Sequence, residues 1–103
     1  MIMSTSITPT ELKDRLSQKK VCLLDVRRKA DFEKSPYTLE GAVWQDPENV
    51  QEWSKTLPRD QELIVYCVRG GSVSQSVADA LQETHHDVRF LEGGILGWQD
   101  NQK

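Results

Sequence analysis

The chain has 103 residues, 37% of them hydrophobic and 28% charged, with a formal net charge of -3. That balance excludes an apolar-poor disordered chain, and the length fits one hydrophobic core with little room for a second. The 13 Lys and Arg residues are scattered among 16 Asp and Glu, which argues against nucleic acid or an anionic membrane as the main partner.

The amino-terminal segment MIMSTSITPTELKD lacks a basic region followed by an apolar core, and no window approaches the ~18 apolar residues of a spanning helix, so the expected compartment is the cytoplasm. Thr8-Pro9-Thr10-Glu11 combines a cap, proline at the first helical position and Glu three residues after the cap, which predicts a helix from about Pro9 to Gln18. VCLLDV is a short continuous apolar run ending on a charge, the pattern of a strand buried on both faces, with Asp25 at its carboxyl end. RRKADFEK reads as a short amphipathic turn or helix, and GAVW as a second short strand. In PENVQEWSKTL, Asp46 and Pro47 supply the cap and first position of another helix.

ELIVYC is the next strand, and from Ser74 onward a helix is expected whose apolar face carries Val73, Val77, Ala78 and Leu81. His85-His86 then reads as a surface turn, because adjacent histidines point apart and make a poor metal site. DVRFLEGG gives a last strand and ILGWQDNQK a closing helix. Strands alternating with helices imply an α/β fold, a mostly parallel central sheet with helices on both faces, in a single domain over residues 1–103 that is ordered from about residue 6 to 101. Ligands of such sheets bind beyond the carboxyl ends of the strands, where Asp25 and Cys67 both fall.

The stretch LIVYCVRGGSVSQSVADAL ends a buried strand on a thiol and follows it with glycine and a helix. Helix amino termini and nearby cations lower a cysteine pKa from ~8.5 to roughly 3.5–7.5, which makes a useful nucleophile at neutral pH. Arg69 adds a cation, and Gly70 and Gly71 can take positive φ and turn successive backbone N–H groups toward one point. Ser72 and Ser74 are expected to cap the helix or donate a hydroxyl to a bound group. The loop thus reads as an anion cradle around a thiolate, set against a plainer reading as a buried cysteine in a turn-and-cap segment. Cys22, inside the first apolar run, reads as a small core hydrophobe, and Trp44, Trp53 and Trp98 as core or rim.

Four stretches, LLDVR at 23–27, LEGAVW at 39–44, YCVRGGS at 66–72 and LEGGILGW at 91–98, together resemble the rhodanese family of sulfurtransferases, in particular its short single-domain bacterial members. The resemblance spans nearly the whole chain and implies a rhodanese-like fold. It also implies that Cys67 is the nucleophile that takes the outer sulfur of a donor such as thiosulfate, becomes a persulfide and passes the sulfur to cyanide or a thiol. The backbone of Val68, Arg69, Gly70, Gly71, Ser72 and Val73 would then surround that sulfur and bind substrate, with Asp25 and Arg27 supporting the architecture and Asp31 or Glu33 pairing with Arg27. No metal and no organic cofactor is implied.

Two departures from the family pattern stand out. Tyr37-Thr38-Leu39-Glu40 replaces a Gly-His-Ile-Pro segment, and Ser72 stands where many members carry arginine five residues after the cysteine. Phosphatases and arsenate reductases of this fold need an arginine at the loop's end to clamp their anion, and Ser72, Val73 and Ser74 supply none. The partners that the resemblance implies are a small anionic sulfur donor and a cyanide or thiol acceptor. The alternative is a persulfide carrier that docks on a sulfur-relay protein, since the same thiolate cradle serves both tasks.

Overall fold

The computed structural model describes residues 5–18, 21–39, 41–57, 61–69, 71–83 and 87–101. The elements run β1 (Thr5–Ile7), α1 (Pro9–Ser17), β2 (Val21–Asp25), α2 (Lys29–Lys34), β3 (Val43–Trp44), α3 (Val50–Trp53, flanked by 3-10 turns Pro47–Asn49 and Ser54–Thr56), β4 (Glu62–Tyr66), α4 (Ser72–Gln82), β5 (Val88–Leu91) and α5 (Gly94–Asn101). The expected Thr8 cap closes a full capping box on α1, with Thr8 Oγ1 accepting from the Glu11 amide at 3.1 Å and Glu11 Oε1 accepting from the Thr8 amide at 3.1 Å. These bonds hold the exposed Glu11 carboxyl below its ordinary pKa. Asp46 caps its turn by accepting from the Glu48 amide at 3.0 Å.

All described strand pairs are parallel, in the order β1-β5-β4-β2-β3. The chain moves from β2 outward to β3 on one side and from β4 outward to β5 on the other, so the direction of winding reverses between β2 and β4. A crevice opens at such a reversal, beyond the strands' carboxyl ends.

The continuous apolar runs are explained by the two layers they serve. Leu24, Leu63 and Val65 face α3 and α4, packing with Trp53, Val77, Ala78 and Leu81. Their neighbours Leu23, Ile64 and Tyr66 face α1 and α5, packing with Leu12, Leu39 and Ile95. Since side chains alternate between faces, a strand covered on both sides must be apolar at every position. β1 was not expected: it pairs with β5 at the sheet edge through Thr5, Ser6 and Ile7, of which Ile7 alone is a large hydrophobe, buried with α1 and α5. Two other expectations shift. The helix carrying Val77 and Leu81 begins at Ser72, two residues before Ser74, and the segment after Pro47 is a succession of short turns around one α-helical turn. His85 and His86 lie outside the described residues.

Candidate active site

Cys67 follows β4 directly, and β4 lies between β2 and β5, so the thiol stands at the middle of the sheet's carboxyl edge. It is 6% exposed. An open cleft of about 430 Å³ above it is lined by Arg27, Arg28, Asp31, Cys67, Val68, Arg69, Gly71, Ser72 and Val73. Six of the seven residues expected in the loop thus line one cavity, while Gly70 lies outside the described residues.

Two helices meet the loop from opposite sides. Gly71 is the N-cap of α4, so Ser72 and Val73 are its first helical residues, whose amides have no intrahelical acceptor by the geometry of a helix start. On the other side the amino end of α5 grips the loop, with the Ile95 amide donating to the Cys67 carbonyl at 2.9 Å and the Leu96 amide to the Val68 carbonyl at 3.1 Å.

Gly94 makes this grip possible. Its φ is +58°, and a Cβ there would come within 2.3 Å of the Cys67 carbonyl oxygen. The closing LEGGILGW motif therefore shapes the cysteine loop, a role not read from the sequence. Gly71, by contrast, has φ −89° and open space where a Cβ would stand, so the positive φ expected of it is not used.

Ser74 also differs from expectation. It neither caps α4 nor reaches the cleft; it is fully buried in the first turn, where the Cys67 Sγ donates to Ser74 Oγ at 3.3 Å and that hydroxyl donates to the Gly71 carbonyl at 3.4 Å. A hydroxyl that can rotate between carbonyl and sulfur can accept from a thiol and donate to an anionic sulfur.

Asp25 and Arg27 form the floor behind the cleft. The Arg27 guanidinium lies 2.7 Å from Asp25 Oδ2, and both side chains are buried. Arg27 Nε donates to the Asp25 carboxylate at 2.9 and 3.0 Å, and its remaining arms donate to the carbonyls of Ser35 and Tyr37 at 3.0 and 2.8 Å. The expectation that Asp31 or Glu33 pairs with Arg27 is overturned: the partner is Asp25, two residues back on the same face of an extended segment. Tyr66 donates its hydroxyl to Asp25 at 3.1 Å and accepts from the Leu39 amide at 3.0 Å. Burial and the neighbouring carboxylate raise the tyrosine well above its usual range, which keeps it a donor. Arg27 further stacks over Phe32, its guanidinium 5.4 Å from the ring centre, and Phe32 stacks on Trp44 at 4.7 Å. Through these contacts the Tyr37–Leu39 segment, where the sequence departs from the family pattern, is fixed to the site's floor.

Cys22 belongs to the other end of the sheet. It is opposite Leu63 in register, four residues before Cys67, which at ~3.3 Å per residue puts the two cysteines about 13 Å apart and beyond disulfide reach. Burial raises the Cys22 thiol above its ordinary value. Among the described residues no three His, Cys, Asp or Glu side chains are grouped to hold a metal, and no helix is long and apolar enough to cross a membrane.

A rhodanese-like domain model matches residues 8–101. The chain is 28% identical to a sulfurtransferase of Allochromatium vinosum over 99 residues, 93% of this chain and 89% of that protein. It is 30% identical to the probable adenylyltransferase/sulfurtransferase MoeZ of Mycobacterium tuberculosis over 91% of its own length, spanning about a quarter (24%) of that relative. A tRNA uridine(34) hydroxylase of Acinetobacter baylyi matches at 28% identity over 87% of this chain and 30% of its own. In fold, the rhodanese-related protein of Thermoplasma volcanium superposes with a TM-score of 0.80, 24% identity, and coverage of 94% and 92% of the two chains.

Proposed function

Because the chain belongs to the rhodanese-like domain family, we propose that it is a sulfurtransferase working through a persulfide on Cys67. The observation that carries this reading is the thiol's position: nearly buried, at the carboxyl end of the central strand, opening on a cleft bordered by Arg28, Arg69 and the first residues of α4.

The Cys67 thiolate attacks the outer sulfur of thiosulfate. A bond forms between Sγ and that sulfur, the sulfur–sulfur bond of the donor breaks, and sulfite leaves with the electron pair. Cyanide or a thiolate then attacks the outer sulfur and Cys67 departs as thiolate, so the enzyme undergoes no net oxidation. The amides of Ser72 and Val73, with the rest of the Val68–Val73 backbone, stabilise the anionic outer sulfur as fixed dipoles stabilise an oxyanion, and Ser74 turns its hydroxyl toward Sγ when that atom carries the charge. Arg69 draws in the anionic donor.

Replacing Cys67 with Ser is expected to abolish transfer from thiosulfate to cyanide while circular dichroism and the melting temperature stay close to the parent's. Substantial transfer by a folded Cys67→Ser protein would defeat the proposal. A carrier role, in which the sulfur comes from and goes to protein partners in the cytoplasm, is favoured by one observation: the matching region is only 24% of the Mycobacterium relative, so this domain also works joined to others. Loading from a protein persulfide much faster than from thiosulfate would select it.

A further inference from the structure

A second cavity of about 560 Å³ adjoins the thiol cleft and shares Arg28, Ser72 and Val73 with it. Its other walls include Lys29 and Ala30 at the start of α2, Pro47 and Glu48 before α3, and Ser76 and Val77 of α4. Its size lies within the ~300–1,000 Å³ of ordinary small-molecule sites. Neither thiosulfate nor cyanide needs it, because each is smaller than the thiol cleft alone.

The charges around it are arranged for a particular ligand. Arg28 and Lys29 are exposed and form no ion pair with any described residue, and Glu48, from a different segment of the cavity wall, forms none either. Elsewhere in the molecule the buried charges among the described residues are matched: Asp25 with Arg27, and Glu62 with both Arg15 and Arg89. Two unpartnered cations and an unpartnered carboxylate around a small apolar patch of Ala30, Val73 and Val77 complement a zwitterion with a short alkyl body.

Resting on the sulfurtransferase reading, we infer that this second cavity is the acceptor site and that it takes an amino-acid or peptide thiol. Carboxylates of the acceptor lie against Arg28 and Lys29, its ammonium group lies against Glu48, and its sulfur reaches the persulfide past Ser72 and Val73. The acceptor thiol forms a bond from its sulfur to the outer sulfur of the anionic Cys67 persulfide, its proton passes to that outer sulfur, and the bond to Cys67 Sγ breaks with its electron pair going to Sγ. A peptide persulfide leaves and the thiolate is restored.

The test separates the two half-reactions. The protein is loaded with thiosulfate, desalted, and mixed rapidly with glutathione, 2-mercaptoethanol or cyanide while loss of the added sulfur is followed by mass. The Lys29→Ala/Glu48→Gln double variant and a Ser76→Trp variant that fills the cavity are compared with the parent. Each is expected to raise the half-saturating glutathione concentration about tenfold, the scale of two exposed charge contacts. Loading by thiosulfate and discharge by cyanide and 2-mercaptoethanol are expected to stay within about twofold, the low end of an exposed charge contact, because none of them needs the second cavity. Unchanged discharge by glutathione would overturn the acceptor site, as would an equal loss with all three acceptors. A parent protein that never gains sulfur would overturn the sulfurtransferase reading itself, and the acceptor site with it.

Discussion

The two ends of the sheet use charge in opposite ways. At the amino end of β4, Glu62 is buried between Arg15 and Arg89, with Arg89 Nε 2.8 Å from Glu62 Oε2, so the buried carboxylate is matched by two arginines. At the carboxyl end, Arg28, Lys29 and Arg69 border the clefts without an ion pair among the described residues, above a floor where Asp25 and Arg27 satisfy each other. Paired charges at one end hold strands and helices together, whereas unpaired cations at the other leave field available to a ligand. The cysteines divide in the same way: Cys22 packs beside the core on β2, and Cys67 faces the unpaired cations.

The comparison can be broken at several points. Asp25→Ala removes one member of a buried pair and is expected to cost about 3–5 kcal/mol, because Arg27 is left buried and uncompensated. Glu62→Gln, whose arginine partners are each about a third exposed and screened by water, is expected to cost only about 1 kcal/mol. Urea unfolding of both variants checks the ratio; equal losses would mean that the two ends are not differently built.

Gly94→Ala forces a side chain into left-handed backbone and against the Cys67 carbonyl, for a cost of roughly 2–5 kcal/mol together with most of the transfer activity. Gly71→Ala, with ordinary φ and open space, is expected to stay within about 1 kcal/mol of the parent, and the same unfolding curves measure it.

Arg69→Ala is expected to raise the KM for thiosulfate about fivefold at low salt, the effect shrinking as salt rises, because the side chain is exposed. A neutral persulfide donor is expected to feel little of it, and equal effects on both donors would remove Arg69 from donor binding. The smallest effect belongs to Cys22. Burial raises its thiol, so the folded protein favours the neutral form, and the stability this gives is present below the ordinary thiol range and lost as pH rises past the raised value. At mildly alkaline pH, alkylation of Cys22 is expected to be slower in the folded than in the unfolded protein, and Cys22→Ser is expected to leave transfer unchanged.

Much of this arrangement was legible in the sequence because it is written locally. VCLLDV announces a strand covered on both faces and ELIVYC another strand, Thr8 to Glu11 spells out a helix start, and a thiol between a strand and a helix marks the candidate site. The features that were missed depend on distant partners. β1 is three residues long and is held by β5, more than eighty residues away, so no periodicity reveals it. Gly94 matters because it meets the carbonyl of Cys67, a contact no spacing rule supplies. Ser74 is expected to cap the helix or donate to a bound group, but α4 begins a half-turn earlier and carries that hydroxyl inward to the sulfur. The expected pairing of Arg27 with a carboxylate of the following helix fails because the extended backbone before that helix places Asp25 within its reach.

The most direct test of the Cys67 persulfide is to incubate the reduced protein with thiosulfate and measure intact and peptide masses. One added sulfur atom on the peptide containing Cys67, absent from the Cys22 peptide and lost on adding cyanide, is the predicted result. Sulfur on Cys22, or none on either cysteine with thiosulfate or a persulfide donor, would contradict it.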